Sequence, residues 1–197
     1  QTITSQAAQM LNTKHGFIYL VAPDGSEIEL KTGMGKFTDL IGFRLKQGEG
    51  IGGRVWLSGE PLIVHDYHAW EGRSIQFDEM CFRSAMGVPL VSGSGVIGVL
   101  GLAHLQSNKV YDNDDLELLK RFAQLASIAL DNARLYTLSR QELAERKRIA
   151  DALQTAQEKY RRLVEQIPAA IYLDLGDDYS TKTYISPQIE KISGYPA

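Results

Sequence analysis

SAMGVPLVSGSGVIGVLGLAHL, residues 84–105, decides the fold. Two apolar runs flank Ser92-Gly93-Ser94-Gly95, whose small and glycine residues suit a tight hairpin connection. Gly87, Gly98 and Gly101 lie inside the runs, where a missing side chain marks close backbone approach or room for packing. The stretch reads as two antiparallel strands, and the rest of the chain is arranged around them.

Toward the N-terminus, GFIYLVAPDGSEIELKTGMG (16–35) reads as a second hairpin, FIYLVA and EIELKT joined at Pro23-Asp24-Gly25-Ser26. Residues 1–12 read as a helix with Ile3, Ala7, Met10 and Leu11 on one face. Residues 36–47 are mixed, with Phe43 and Leu45 alternating as in a short strand. Gly48, Gly50, Gly52 and Gly53 precede a short helical stretch, GRVWLSG, closed by Gly59. After Pro61, LIVH reads as a strand, and 73–83 as irregular or weakly helical.

Toward the C-terminus, residues 112–167 pass without one Gly or Pro, the two strongest helix breakers. A single helix of that length spans ~84 Å at ~1.5 Å per residue. Asp112 can cap it, and Asp114, Asp115 and Glu117 suit its positive N-terminal end. The apolar positions of its first half are Leu116, Leu119, Phe122, Ala123, Ala126, Ala129, Leu130, Ala133 and Tyr136. The alanines allow close helix–helix approach, and a dimer bundle of Ala123, Ala126, Ala129 and Ala133 with residues 3–11 is expected. From 143 the pattern changes. Leu143, Ala150, Gln157 and Val164 share one heptad position, and Arg146, Leu153, Tyr160 and Ile167 the next. This thin seam flanked by charge fits a two-stranded coiled coil, or a solvated single helix held by i,i+4 pairs. Thr137, Ser139, Arg140 and Gln141 weaken the seam between the halves. Past Pro168, AIYLDL (170–175) and KTYIS (182–186) read as strands around GDDYST, and PQIEKISGY as the start of a short helix. These last residues are too few to bury a core of their own.

The hydrophobic share of 44% and charged share of 23% are those of a globular protein. A net charge of −3 gives no bulk attraction to nucleic acid or to an anionic membrane, and neither partner is expected. Cys81 is the single cysteine, so no disulfide forms within the chain, which fits a reducing, cytoplasmic setting. No apolar run approaches the ~18 residues of a membrane span, and no signal peptide is visible. The chain opens on Gln1 and stops in a segment that reads as unfinished, so an excised piece of a larger protein is expected.

Five blocks, in order, carry a resemblance. They are Gly48-Glu-Gly-Ile-Gly-Gly-Arg-Val-Trp56, Gly59-Glu-Pro-Leu-Ile-Val-His-Asp-Tyr67, Ser84-Ala-Met-Gly-Val-Pro-Leu90, Val96-Ile-Gly-Val-Leu100 and Ala126-Ser-Ile-Ala-Leu-Asp-Asn-Ala-Arg-Leu-Tyr136. With them, residues 1–136 resemble a GAF domain. Residues 137–158 resemble the coiled-coil signalling helix that joins sensor modules. Residues 159–197, with Tyr160-Arg-Arg-Leu-Val-Glu-Gln-Ile-Pro168 and Tyr184-Ile-Ser-Pro-Gln-Ile-Glu-Lys-Ile-Ser-Gly-Tyr195, resemble the truncated start of a PAS domain. The resemblance implies an α+β fold: a central antiparallel sheet of about six strands, with N- and C-terminal helices on one face and a small-molecule pocket on the other, extended by a long C-terminal helix. A homodimer through those helices is expected from their small and heptad-spaced residues. The resemblance further implies a sensory fragment without catalysis of its own, followed by PAS and kinase domains as in bacterial sensor histidine kinases. The output of a diguanylate cyclase or phosphodiesterase, or a ligand-free dimerisation spacer, is the alternative.

The candidate pocket residues are Trp56, His65, Asp66, Tyr67, His68, Trp70, Phe77 and Met86. His65-Asp66-Tyr67-His68-Ala69-Trp70 sits where the family places a loop over its pocket, while ordinary loop structure explains it as well. His65 and Asp66 could ligate a metal, but such a site needs three or four converging ligands, and none is expected. Cys81 is followed by Phe82 rather than the His typical of bilin-carrying relatives; no covalent bilin is expected, and a partly buried thiol is. Asn108-Lys109, Tyr111 and Asp114-Asp115 echo the cyclic-nucleotide motif with altered residues and compressed spacing, and helix capping accounts for the acids equally. The glycines at 48–53 lack a following Gly-Lys-Ser/Thr, which excludes a P-loop. One cysteine is too few for the thiol chemistry of the sulfoxide-reducing relatives. Arg140, Arg146, Lys147, Arg148, Arg161 and Arg162, interleaved with Glu142, Glu145, Asp151 and Glu158, read as a solvated helix face.

Overall fold

The computed structural model describes residues 3–74, 77, 81–93, 95–105, 109–166, 172–174, 182–185 and 188–194. They fall into two compact units, 1–135 and 136–197. The first is built on six strands: β1 (His15–Val21), β2 (Ile28–Met34), β3 (Arg44–Leu45), β4 (Leu62–Val64), β5 (Ser84–Ser92) and β6 (Gly95–His104). They form one sheet in the order β3-β2-β1-β6-β5-β4, and every neighbouring pair is antiparallel. Its helices are α1 (Ile3–Met10), α2 (Gly50–Ser58) and α3 (Asn113–Gln166), with a 3-10 helix at Gly35–Leu40.

Alternation along the strands sorts the core into two layers. On β5, Met86, Val88 and Leu90 join Leu100 and Leu102 of β6 in a cluster with Ala7 and Ala8 of α1 and Leu119, Ala123 and Ala126 of α3. The intervening residues Ala85, Val99 and Ala103 join Phe17 and Tyr19 of β1, Ile28 and Leu30 of β2, and Ile51 and Val55 of α2. Both faces of the central strands are therefore covered, one by α1 and α3 and the other by α2. A part-buried bond ties β5 to α3: the Val91 N–H donates to Ser127 Oγ at 3.0 Å.

The strand glycines serve this packing. A Cβ on Gly87 would stand 2.7 Å from Ile51 of α2, and one on Gly101 would overlap the edge of the Phe17 ring at 2.1 Å. Gly87 and Gly101 are directly opposed across β5 and β6.

Several elements differ from the sequence reading. The buried stripe of α1 is Thr4, Ala7 and Ala8, continued by Leu11, while Met10 points to solvent at 67% exposure. α2 starts at Gly50, not after the glycines, and Gly52 lies within it against Tyr19, Ile28 and Leu45, where a Cβ would be tight at 3.2–3.3 Å. The 3-10 helix at Gly35–Leu40, read as mixed chain, buries Phe37. Ala123 and Ala126 face their own sheet at 3% exposure, so they are not available to a second copy; Ala129 is exposed. The inner face of α3 follows 116, 119, 123, 126 and 130, and the outward face carries Leu125 and Ile128 instead.

α3 begins with a reciprocal cap. Asp112 Oδ1 accepts the Asp115 N–H at 2.9 Å, and Asp115 Oδ2 accepts the Asp112 N–H at 3.2 Å, satisfying two donors at the helix start. In the second unit the helix is exposed, with ion pairs Arg146–Glu142 at 2.7 Å and Arg148–Glu145 at 3.0 Å. Beyond it, β7 (Tyr172–Asp174) pairs antiparallel with β8 (Lys182–Ile185), followed by α4 (Gln188–Ser193). The expected turn between these strands, Ile167 of the seam and Pro168 lie outside the described residues. Among the described residues, no helix is long and apolar enough to cross a membrane.

Candidate functional site

A small, partly open space lies on the α2 side of the sheet. Phe17 and Tyr19 of β1, Ala85 of β5 and Ala103 of β6 form its floor. Ile51 and Gly52 of α2, with Leu45 of β3, close one side, and Phe37, Tyr67, Phe77 and Phe82 close the rest. Among the described residues, no charged side chain and no histidine lines it. Its free volume is about 20 Å³, room for one or two water molecules.

Aromatic rings fill the space. Phe37 stacks on Phe82 with centroids 4.8 Å apart and planes 9° apart, and touches Phe17 at 4.8 Å. Phe77 meets Phe43 edge-on at 5.4 Å, and Tyr67 meets Phe82 at 6.1 Å. Such offset and edge-on pairs add about 0.5–1.5 kcal/mol each beyond burial.

The polar groups here are phenols. Tyr19 is 1% exposed, and its hydroxyl has no hydrogen-bond partner among the described residues. Burial, with the neighbouring Tyr67, pushes its pKa well above the usual phenol value. Leaving a buried hydroxyl unpaired costs about 1–3 kcal/mol. The Tyr67 hydroxyl accepts the Ser74 N–H at 3.3 Å.

Of the eight candidate residues, Tyr67 and Phe77 line this space. Trp56 and Trp70 are half-buried against the same cluster without reaching the cavity, and Trp70 lies 5.8 Å from the Tyr67 ring. His65 is exposed. Asp66 is an N-cap of the following turn: its Oδ1 accepts the N–H of His68 at 3.0 Å and of Ala69 at 3.3 Å. His68 turns its carbonyl to Arg73. Met86 is fully buried but on the α1–α3 side of the sheet, because odd and even residues of β5 face opposite ways. Among the described residues, no three His, Cys, Asp or Glu side chains converge as metal ligands would.

The sequence reading missed Phe17, Tyr19, Phe37, Ile51, Phe82, Ala85 and Ala103. Phe17 and Tyr19 share one strand face at spacing two, and Ala85 and Ala103 pair across strands. That signal was present, but which face holds the cavity was not.

The remaining candidates have structural roles. Tyr111 is buried in the α1–α3 layer, stacked on His104 at 4.5 Å. Asp115 closes the α3 cap, Lys109 Nζ donates to the Asn12 carbonyl at 3.3 Å, and Asn108 lies outside the described residues. Cys81 is exposed rather than partly buried. It holds a left-handed backbone, φ 55°, which turns the chain into β5.

Comparison with known proteins follows the same outline. A family model described as "GAF domain" matches residues 1–131. The chain is 28% identical over 112 residues to dual 3',5'-cyclic-AMP and -GMP phosphodiesterase 11 of Drosophila melanogaster, covering 55% of this chain and 8% of that protein. It is 32% identical over 77 residues to the formate hydrogenlyase transcriptional activator of Salmonella typhimurium, covering 39% of this chain and 10% of the other. The chain thus spans about a tenth or less of these relatives' lengths. In three dimensions it is similar to the GAF domain of the Acinetobacter phosphoenolpyruvate-protein phosphotransferase. That match has a TM-score of 0.59 at 20% identity and covers 68% of this chain and 80% of the other.

Proposed function

The chain belongs to the GAF domain family, and on that footing we propose that it is a non-catalytic sensory module of a signal-transduction protein. A small molecule enters the ring-lined cavity, and the response passes through the sheet to α3 and on to output domains. The observation that carries this reading is the two-sidedness of β5: Ala85 belongs to the cavity cluster, and its neighbour Met86 belongs to the α1–α3 cluster. A displaced floor residue therefore moves the strand on which the helix rests.

The output end is a homodimer through α1 and α3. On α3, Leu125, Tyr136, Leu143, Leu153 and Tyr160 are each more than half exposed, and all follow one 3–4 heptad spacing. With Ala129, Ala150 and Val164 the frame runs through residues 125–164, interrupted by Asn132, Ser139, Arg146 and Gln157. In this reading the parent is a cytoplasmic sensor histidine kinase, with residues 159–197 opening a PAS domain. A cyclase or phosphodiesterase output is compatible with the same module. Light scattering over a dilution series tests the dimer: dissociation in the micromolar range is expected, and a monomer at high micromolar concentration overturns it.

A second reading is favoured by one observation. The cavity is already occupied by the protein's own rings, which leaves about 20 Å³ free. That suits a ligand-free dimerisation spacer. A thermal-shift screen separates the two readings, since a specific ligand raises the melting temperature with concentration and a spacer responds to none.

A further inference from the structure

The cavity has a chemical character narrow enough to name a class of occupant. We propose that it takes a neutral, planar aromatic molecule bearing one hydrogen-bonding substituent, a phenol or an indole by class, with that substituent bonded to the Tyr19 hydroxyl. This rests on the reading that the cavity is a ligand site.

Three observations carry it. First, among the described residues no charged side chain lines the cavity. A phosphate, carboxylate or ammonium would be desolvated there without a counter-charge, which disfavours nucleotides and acidic metabolites. Second, Tyr19 is buried to 1% exposure with an unpartnered hydroxyl, while the other phenol, Tyr67, already accepts the Ser74 N–H. A phenylalanine would fill the same volume without burying an unpaired group, so the hydroxyl marks the point where a guest can bond. Third, the walls are flat ring faces. Phe37 and Phe82 lie parallel at 4.8 Å, and Phe17 packs against Phe37 at the same separation. A planar guest reproduces that ring–ring geometry and an aliphatic one does not.

The free volume is too small for a six-membered ring beside the present side chains, so the guest takes the place of one ring. In this proposal the ring that yields is Phe37. It sits on the short 3-10 helix Gly35–Leu40, whereas Phe17 is held in the middle of the sheet. Entry of the guest shifts Phe37 off Phe82, and the guest's ring completes the stack.

Phenol, indole, toluene, cyclic GMP and choline are titrated into the 1–197 protein and into Tyr19→Phe. Melting temperature and the fluorescence of Trp56 and Trp70 are the readouts. Phenol or indole is expected to bind saturably and better than toluene. Tyr19→Phe retains the fold and toluene binding but weakens the phenol or indole by about tenfold, the factor one lost hydrogen bond carries. Equal binding of phenol, indole and toluene, or a Tyr19→Phe protein that binds phenol and indole unchanged, overturns the proposal. Saturable binding of cyclic GMP or choline in their place overturns the aromatic class and leaves the sensory reading standing. No response to any probe, in either protein, overturns the proposal and favours the spacer reading.

Discussion

A side chain at Gly53 has no space: its Cβ would overlap the Lys46 carbonyl, and backbone cannot swing aside as a flexible side chain can. Alanine is the better helix former by about 1 kcal/mol, yet overpacking at a rigid contact costs about 1–3 kcal/mol. Gly53→Ala is therefore expected to lower unfolding stability despite its propensity, whereas Gly93→Ala, with open space around it, stays within about 0.5 kcal/mol. Denaturant titration of the two variants checks the contrast. His104 illustrates the electrostatic side of burial. It is 7% exposed, and desolvation holds its pKa below the usual histidine value, helped by Lys109 and His15 and opposed by Asp115. His15 is lowered likewise, by desolvation and then by Lys36 and Lys14. A depressed histidine pKa means that the unfolded chain takes up protons first as pH falls. The associated stability is complete above about pH 6.5 and is lost as pH drops below it. Melting temperature should fall between pH 7.5 and 5.5, more shallowly in His104→Gln; a flat profile in the wild type would contradict the assignment.

At the scale of elements, α3 is the informative one. Its start is fixed by the Asp112–Asp115 cap, and Asp112→Ala is expected to cost about 1 kcal/mol in a thermal or denaturant melt. Its inner face is consumed by the sheet through Leu119, Ala123 and Ala126. Its outer seam mixes apolar layers with Asn132, Ser139 and Arg146 at one heptad position and Gln157 at the other, a composition that weakens a coiled coil while setting its register. Leu153 is 58% exposed, so Leu153→Glu should raise the dimer dissociation constant by at least about tenfold without lowering the stability of residues 1–135. Ser139→Leu should tighten the dimer. Sedimentation of both variants decides, and matching dissociation constants would argue for a solvated single helix.

For the molecule as a whole, the sheet is the shared wall between cavity and helix layer. If occupancy of one side alters packing on the other, the coupling is reciprocal: a cavity ligand must change the dimer constant by the factor by which dimerisation changes ligand affinity. Measuring the dimer constant with saturating ligand tests this, and an unchanged value sinks the signalling route while leaving the binding site intact. The bulk of each β5 residue matters here. Met86, fully buried in the helix layer, is expected to cost about 2–5 kcal/mol as Met86→Ala in a denaturant titration.

Local pattern by itself determined much of this protein. The glycine-bearing apolar pair at 84–105, the hairpin at 16–35 and the break-free helix from 112 could each be read from spacing, because turns, caps and strand alternation are short-range effects. The capping acids were legible for the same reason. Tertiary structure alone decided the sheet order, which places β1 beside β6, and with it the face on which Phe17, Tyr19, Ala85 and Ala103 converge. It also decided that Ala123 and Ala126 point inward and that Met86 lies across the sheet from Tyr67. These outcomes depend on which distant surfaces meet. Burial and the pairing of strands far apart in the chain set them, and no window of neighbouring residues contains that information.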